Sequence, residues 1–343
     1  MNARLFPLLL CLWPAAAAAQ GFAGLGTAAQ GFALPDPGWT PVFPADHGAH
    51  EMFRIEWWYL TATLEAADGT PYGIQWTLFR TALAPGGAPE DQLWMGHAAI
   101  TTPDAHHVAE RLARGGTGQA GVTADPFAAW IDEWRLEGVL EGESLLFAQG
   151  PDWSFDMRLR AEGPVVLQGE AGYSVKSPQG QASQYYSMPF LAIEGVLTLP
   201  AGDVAVTGQA WLDREWSSQP LAAEQTGWDW FSLSFETGEK LMGFRLNARD
   251  GTAFTSATWI APDGTPAPYS DGAFTAEPLA TARVAGREVP VRWRVTLPER
   301  GLDATVAALN PQAWMDVSIP YWEGPVTVRG SHQGRGYLEM TGY

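Results

Sequence analysis

The chain of 343 residues is 46% hydrophobic, contains 17 tryptophans and sets 20 basic against 38 acidic side chains, for a net charge of −18. That acidity excludes binding to nucleic acid or anionic lipid by charge, and leaves solubility or a cationic partner as compatible readings. The length gives room for two domains with packed cores.

Residues 1–19 read as a Sec-type signal peptide: Arg4, an apolar run from Leu5 to Trp13, and the small-residue end Ala17-Ala18-Ala19, with cleavage expected after Ala19. The run falls short of the roughly 20 apolar residues a spanning helix needs, and no later segment is long and apolar enough to be a transmembrane helix. Cys11, the single cysteine, lies inside this leader. Leu10 before it is bulkier than lipoprotein sites use, so lipidation at Cys11 is disfavoured. The mature chain is therefore expected to be periplasmic or secreted and to hold no disulfide.

Residues 20–44, rich in Gly, Ala and Pro, form an extended lead-in. From Phe53 onward, short alternating strands are separated by Gly, Pro and Asp turns. Examples run over Leu136–Leu146, Trp153–Leu159, Ala192–Leu199, Val204–Leu212, Val289–Leu297 and Val326–Gly330. Only Pro126–Glu133 offers a helical turn or two. Many short strands mean a sandwich or barrel, and a barrel of about eight strands can enclose one small ligand.

Two stretches look like copies. Glu56-Trp57-Trp58-Tyr59-Leu60-Thr61 leads through a turn at Asp68-Gly69 to a strand ending Phe79-Arg80. Trp228-Asp229-Trp230-Phe231-Ser232 leads through Thr237-Gly238 to Phe244-Arg245. Each reads as a β-hairpin, and their recurrence predicts two similar β-domains made by duplication. The expected division is 45–200 and 201–343, with the boundary inside 184–219.

Alternation along a strand sorts the polar residues. Arg54, Glu56 and Trp58 share one face of the first motif; Trp57 and Tyr59 share the other. A buried Glu56 requires a partner, for which Arg80 and Arg245 are candidates; the functional alternative sets Glu56 and an Arg at a barrel mouth. In Trp211-Leu212-Asp213-Arg214-Glu215-Trp216, Asp213 and Glu215 share a face with Trp211, while Arg214 and Trp216 share the opposite one. Protonating an alkene carbon needs a strong acid and an aromatic wall to shelter the cation, and a carboxyl in a Trp-lined pocket has the raised pKa required. Asp213, and alternatively Glu56, are the candidate acids; an ion pair of Asp213 with Arg214 or another buried Arg is the structural alternative. His47 and His50 are weak metal candidates, because His-x-x-His without further spaced ligands signals little. No Gly-x-Ser-x-Gly elbow, phosphate loop or dinucleotide fingerprint appears, and no cofactor is expected.

The segment Phe43-Pro44-Ala45-Asp46-His47-Gly48-Ala49-His50-Glu51-Met52-Phe53-Arg54-Ile55-Glu56-Trp57-Trp58-Tyr59 resembles the opening motif of the AttH / carotenoid 1,2-hydratase (hydroxyneurosporene synthase) family. The resemblance continues through Gly96-His97-Ala98, Gln184-Tyr185-Tyr186-Ser187, Trp211–Ser217, Gly227–Phe231 and the ending Gly336–Tyr343. It implies an all-β fold of two tandem lipocalin-like (calycin) antiparallel barrels, in a family that includes secreted proteins encoded with ABC-type transporter components. The residues expected to hold ligand or line an interface are Arg54, Trp57, Trp58, Tyr59, Arg80, His97 and Tyr185 from the first half. Trp211, Arg214, Glu215, Trp216, Trp228, Asp229, Trp230 and Arg245 complete the set. Carotenoid hydratases resemble Asp-His-x-Trp at 213–216; Arg214 replaces that His, which counts against hydratase chemistry because guanidinium does not exchange protons at neutral pH. The expected role is binding a hydrophobic or amphipathic small molecule, with a transporter as partner. The alternatives are hydration of an isoprenoid double bond and a non-binding interaction subunit whose barrels are filled by their own side chains.

Overall fold

The computed structural model describes residues 30–219 and 221–343; the leader expected over 1–19 lies outside the described residues. The first sheet contains β1 (Ile55–Ala66), β2 (Pro71–Ala82), β3 (Gln92–Thr101), β4 (His106–Arg114), β5 (Ala120–Ala124), β6 (Phe127–Ile131) and β7 (Trp134–Gly138). It continues through β8 (Glu143–Gln149), β9 (Ser154–Ala161), the short β10 (Val166–Leu167) and β11 (Tyr173–Val175), and the long β12 (Ala182–Leu199) and β13 (Gly202–Ser217). These are antiparallel in the order β4-β3-β2-β1-β13-β12-β9-β8-β7-β6-β5, with β10 and β11 on β12, and curl into a nearly closed barrel.

The second sheet contains β14 (Gln225–Phe235), β15 (Lys240–Ala248), β16 (Ala253–Ile260), β17 (Pro266–Tyr269) and β18 (Thr275–Val284). It ends with β19 (Arg287–Leu297), β20 (Leu302–Ala308), β21 (Trp314–Met315), β22 (Tyr321–Gly330) and β23 (Gly334–Met340). Its order, β17-β16-β15-β14-β23-β22-β20-β19-β18, repeats that of the first sheet strand for strand. The duplication therefore extends over whole sheets. The second lacks counterparts of β5 and β6, and stays an open half-barrel where a closed one is expected.

Three local expectations change. Gly202–Ser217 pairs with β1 and β12, so the chain leaves the first sheet only after Ser217, past 200/201 but inside the expected window of 184–219. Pro126–Glu133 holds strand β6, because Phe127, Ala129 and Ile131 are buried at period two. Leu136–Leu146 is two strands: the chain turns between β7 and β8, with Gly142 N–H donating to the Val139 carbonyl.

Strand alternation builds the two cores. Trp58, Leu60, Ala62 and Leu64 of β1 and Leu212 and Trp216 of β13 point into the first barrel, where Trp76, Trp134 and Met157 fill the interior. Phe231, Leu233 and Phe235 of β14 do the same for the second sheet with Trp293 and Trp322. The opposite faces meet in a shared cluster, where Tyr59, Tyr185 and Trp211 pack against Trp230, Phe244 and Leu246. The described part of the lead-in joins the first barrel: Trp39 meets Trp216 edge-on at 5.2 Å, and the Asp36 carbonyl accepts from Gln184.

The sheets approach tightly where β2 meets β22. A Cβ placed on Gly73 would lie 2.6 Å from Pro325 Cγ, and a proline ring has no rotamer with which to retreat. Gly73→Ala is expected to pry the sheets apart at a cost of about 1–3 kcal/mol, read as a lowered denaturant midpoint.

Candidate active site

A cavity of about 830 Å³ opens between the two sheets, and Glu56 and Arg80 of the first barrel also reach its wall. Its walls come from the odd-numbered face of each central strand: Trp57 and Tyr59 of β1, Asp213 and Glu215 of β13, and Tyr185 of β12. The second sheet supplies Trp228 and Trp230 of β14, Phe244 and Leu246 of β15, and Glu339 of β23. The even residues of β1 and β13 are committed to the barrel core, so alternation delivers the odd ones to the interface.

Asp213 is buried and meets only neutral donors. Tyr185 Oη donates to Oδ2 at 2.7 Å, Trp211 Nε1 donates to Oδ1 at 2.6 Å, and Ser187 Oγ also donates to Oδ1. Burial pushes its carboxyl up to about 7, and the three hydrogen bonds only partly oppose the rise. The alternative of an Asp213–Arg214 ion pair does not form. Glu339 opens onto the cavity and accepts from Trp228 Nε1 at 2.6 Å. Desolvation raises it to about 7 as well; Trp228 and Tyr59 hydrogen bonds pull the other way, and the charge of Asp213 adds to the rise. Two carboxyls, one from each sheet, are thus both pushed up to about 7 on the wall of one cavity. At the rim, Lys176 Nζ pairs with Glu215 at 2.8 Å, while Ser183 donates to the same carboxylate. Lys176 also sits 4.4 Å from the Phe244 ring centre.

The even-numbered candidates of the first sheet form a second assembly, of which Glu56 and Arg80 also reach the cavity wall. Glu56 accepts from Arg80 Nε at 3.0 Å, Arg214 Nη2 at 2.7 Å and His50 Nδ1 at 2.6 Å. Arg214 lies over the Trp58 ring at 3.9 Å and donates to the Trp57 and Gly48 carbonyls at 2.7 Å each. It therefore has its back to the cavity, and the Arg-for-His replacement does not alter the groups around Asp213. Trp216 stacks on His50 at 3.7 Å, also on the core side. Arg80 is the predicted partner of Glu56; Arg245 is not, and pairs instead with Asp229 at 3.1 Å. Asp229 also accepts from Tyr343 Oη at 2.7 Å. The backbone N–H of Arg54 donates to Ser218 at 3.0 Å. His47 and His50 do not converge on a common point: His47 Nδ1 meets Tyr186 Oη at 2.7 Å, whereas both ring nitrogens of His50 are taken by Glu56 and Asp46. His97 stays outside the cavity wall, stacked on Tyr321 of the second sheet.

Glu339 is not legible as a site residue from the motif that contains it. A signal existed. Gly208-Gln209-Ala210-Trp211-Leu212-Asp213 recurs as Gly334-Arg335-Gly336-Tyr337-Leu338-Glu339, aromatic-Leu-acid in both. Register confirms the equivalence, since Tyr59 pairs across from Asp213 and Trp230 across from Glu339 at matching places in the two sheets. Ser187 and Glu323 are likewise the partners of Asp213 and Glu339 on the next strand.

A sequence profile described as AttH-like matches residues 34–343. The chain belongs to the AttH-like family. The crystal structure of an AttH protein from Nitrosomonas europaea is 34% identical, with a TM-score of 0.82 over 91% of this chain and 100% of that one. Kievitone hydratase from Nectria haematococca shares the fold at 16% identity and a TM-score of 0.65, covering 91% of this chain and 98% of the other. No curated protein sequence matches significantly. Among the described residues, no helix of this AttH-like protein is long and apolar enough to cross a membrane.

Proposed function

We propose that this AttH-like protein adds water across a carbon–carbon double bond of a hydrophobic small molecule held between its sheets. The observation that carries the reading is the pair Asp213 and Glu339, each pushed up to about 7 in a tryptophan-walled cavity. The cavity volume of about 830 Å³ suits one small molecule, whose sites span roughly 300–1,000 Å³. One protonated carboxyl, Asp213 in our assignment, gives its proton to an alkene carbon. The resulting cation faces Trp57, Trp228 and Trp230, where cation–π attraction in a desolvated site contributes about 2 kcal/mol. Water attacks the cationic carbon and Glu339, as carboxylate, takes the water's proton. The sum is one C–H and one C–O bond formed, one π bond lost, and one proton moved from Asp213 to Glu339. A hydratase among the fold neighbours supports that direction of chemistry.

The leader read from the sequence supports a periplasmic or secreted setting for this activity. Binding without turnover is the second reading, favoured by the predominance of apolar walls around the cavity. Incubation of the purified protein with a panel of isoprenoid and prenylated aromatic alkenes in oxygen-18 water separates the two. Hydration is expected to yield an alcohol carrying the labelled oxygen. Compounds that bind, seen by native mass spectrometry, yet never acquire label would leave the binding reading alone.

A further inference from the structure

We propose that a chain of side chains crossing the sheet interface, Glu339–Tyr59–Glu323–Tyr321–His97–Glu110, carries protons between the cavity and solvent. Its purpose rests on the hydration reading, because each turnover leaves Glu339 with an extra proton and Asp213 without one, and the site resets only when Glu339 releases its proton and Asp213 takes one up. Its conduction can be tested on the protein alone.

The links are consecutive. Tyr59 Oη hydrogen-bonds Glu339 and donates to Glu323 Oε1, crossing from β23 to β1 and back to β22. Tyr321, on the same strand as Glu323, hydrogen-bonds that carboxyl and meets His97 Nδ1 at 3.1 Å, crossing again to β3. His97 Nε2 lies 3.2 Å from Glu110 Oε1. Glu110 is the outlet: it is partly exposed on β4 and is fixed by Ser318, whose N–H and Oγ donate at 3.1 and 2.7 Å.

The hydrogens can be assigned from one end. The His97 hydrogen bond holds Glu110 below the usual carboxylate range, so Glu110 is an anion and His97 Nε2 must carry a proton. Burial disfavours a charged His97, which leaves Nδ1 a bare acceptor for Tyr321 Oη. The Tyr321 oxygen then accepts from the acid form of Glu323, favoured by burial, whose proton must sit on Oε1 because Oε2 has no partner. Tyr59 donates to Glu323 and offers its own lone pair to the acid proton of Glu339. Every hydrogen points outward, as a proton wire must before it conducts. A proton leaving Glu339 shifts each of the others by one bond, forms neutral Glu110, and passes to water. Glu339 and Glu110 are then both carboxylates, and Asp213, which gave its proton to the alkene, takes a new one from water in the cavity before the next turnover.

A purely structural account fits these residues poorly. Glu323 is fully buried, and its Oε2 has no hydrogen-bond partner. An apolar side chain would fill that space without the cost of an unsatisfied polar atom.

The test is the rate at which the buried carboxylic protons exchange after mixing into D₂O, followed by the isotope shift of the protonated C=O stretch in the infrared. Bands are assigned with Glu323→Gln and Glu339→Gln. Tyr321→Phe keeps the ring packed on His97 and removes the hydroxyl; Glu110→Gln, at the partly exposed outlet, decides should Tyr321→Phe not fold. Each is expected to slow exchange about tenfold or more, the scale on which positioned proton-transfer groups act. Folded variants that exchange at the wild-type rate would overturn the relay, since the protons would then arrive through the cavity. Wild-type protein with fast, Tyr321-dependent exchange and no hydration of any alkene would leave the relay standing and remove the hydratase reading.

Discussion

Asp213→Asn should abolish hydration, by about 10²–10⁴-fold as for loss of a general acid, and at the same time stabilise the fold above neutral pH. The second half follows from the sign of the pKa shift. Asp213 is raised from an ordinary 3.8 to about 7 in the folded protein. As pH climbs between those values the unfolded chain releases this proton while the folded chain retains it, so rising pH favours unfolding. The accumulated penalty is roughly 4 kcal/mol from a shift of this size, complete above the folded pKa. Asparagine carries no such penalty and can still accept from Trp211 and Ser187. Urea unfolding of both proteins across that interval should show the variant gaining on the wild type as pH rises. A variant uniformly less stable at every pH would mean that Asp213 is an ionised structural group.

Glu56→Gln should have the opposite character, costing about 3–5 kcal/mol because a buried ion cluster loses the member that neutralises it. Burial works to raise the Glu56 carboxyl, but His50, Arg214 and Arg80 together hold it well below the usual range. Its depressed pKa contributes stability that is present above the ordinary 4.5 and lost as pH falls. Burial works against the charged form of His50, yet Glu56 and Asp46 raise it above the ordinary 6.5, so its share is present below that value and lost as pH rises through the folded pKa. The cluster therefore stabilises most between those two pH values. There Glu56→Gln should leave Arg80 and Arg214 buried with one carboxylate fewer and lower the melting temperature steeply. A change of a few tenths of a kcal/mol would show that the loop carrying His50 and Asp46 opens to admit water.

How much of this was readable beforehand depended on the range over which each signal acts. Period-two alternation is local, so the opposite facing of Trp57 and Trp58, and of Asp213 and Arg214, could be read directly. The hairpin at Glu56–Arg80 and its copy at Trp228–Arg245 were legible for the same reason. Long-range register was not. That Gly202–Ser217 returns to pair with β1 depends on contacts more than a hundred residues away, and so does the transfer of Glu56 from a two-residue pair to a cluster with His50 and Arg214. The location of the cavity was hidden too. Barrel interiors were the natural places for a ligand, but Trp58, Trp76 and Trp134 occupy the first one, and the remaining space lies between the sheets. Glu339 and Glu323 looked like ordinary strand acids; only superposing the last strand on Trp211-Leu212-Asp213 gives Glu339 its counterpart.

The central claim is that the interface cavity holds carboxyls still protonated at neutral pH, and titrating them directly tests it without a substrate. Carbon-13 carboxyl NMR of the protein, with Asp213→Asn and Glu339→Gln to assign the resonances, should give two coupled transitions near pH 7. Two transitions in the ordinary carboxylate range would contradict it, leaving an apolar binding cavity without an acid to do chemistry.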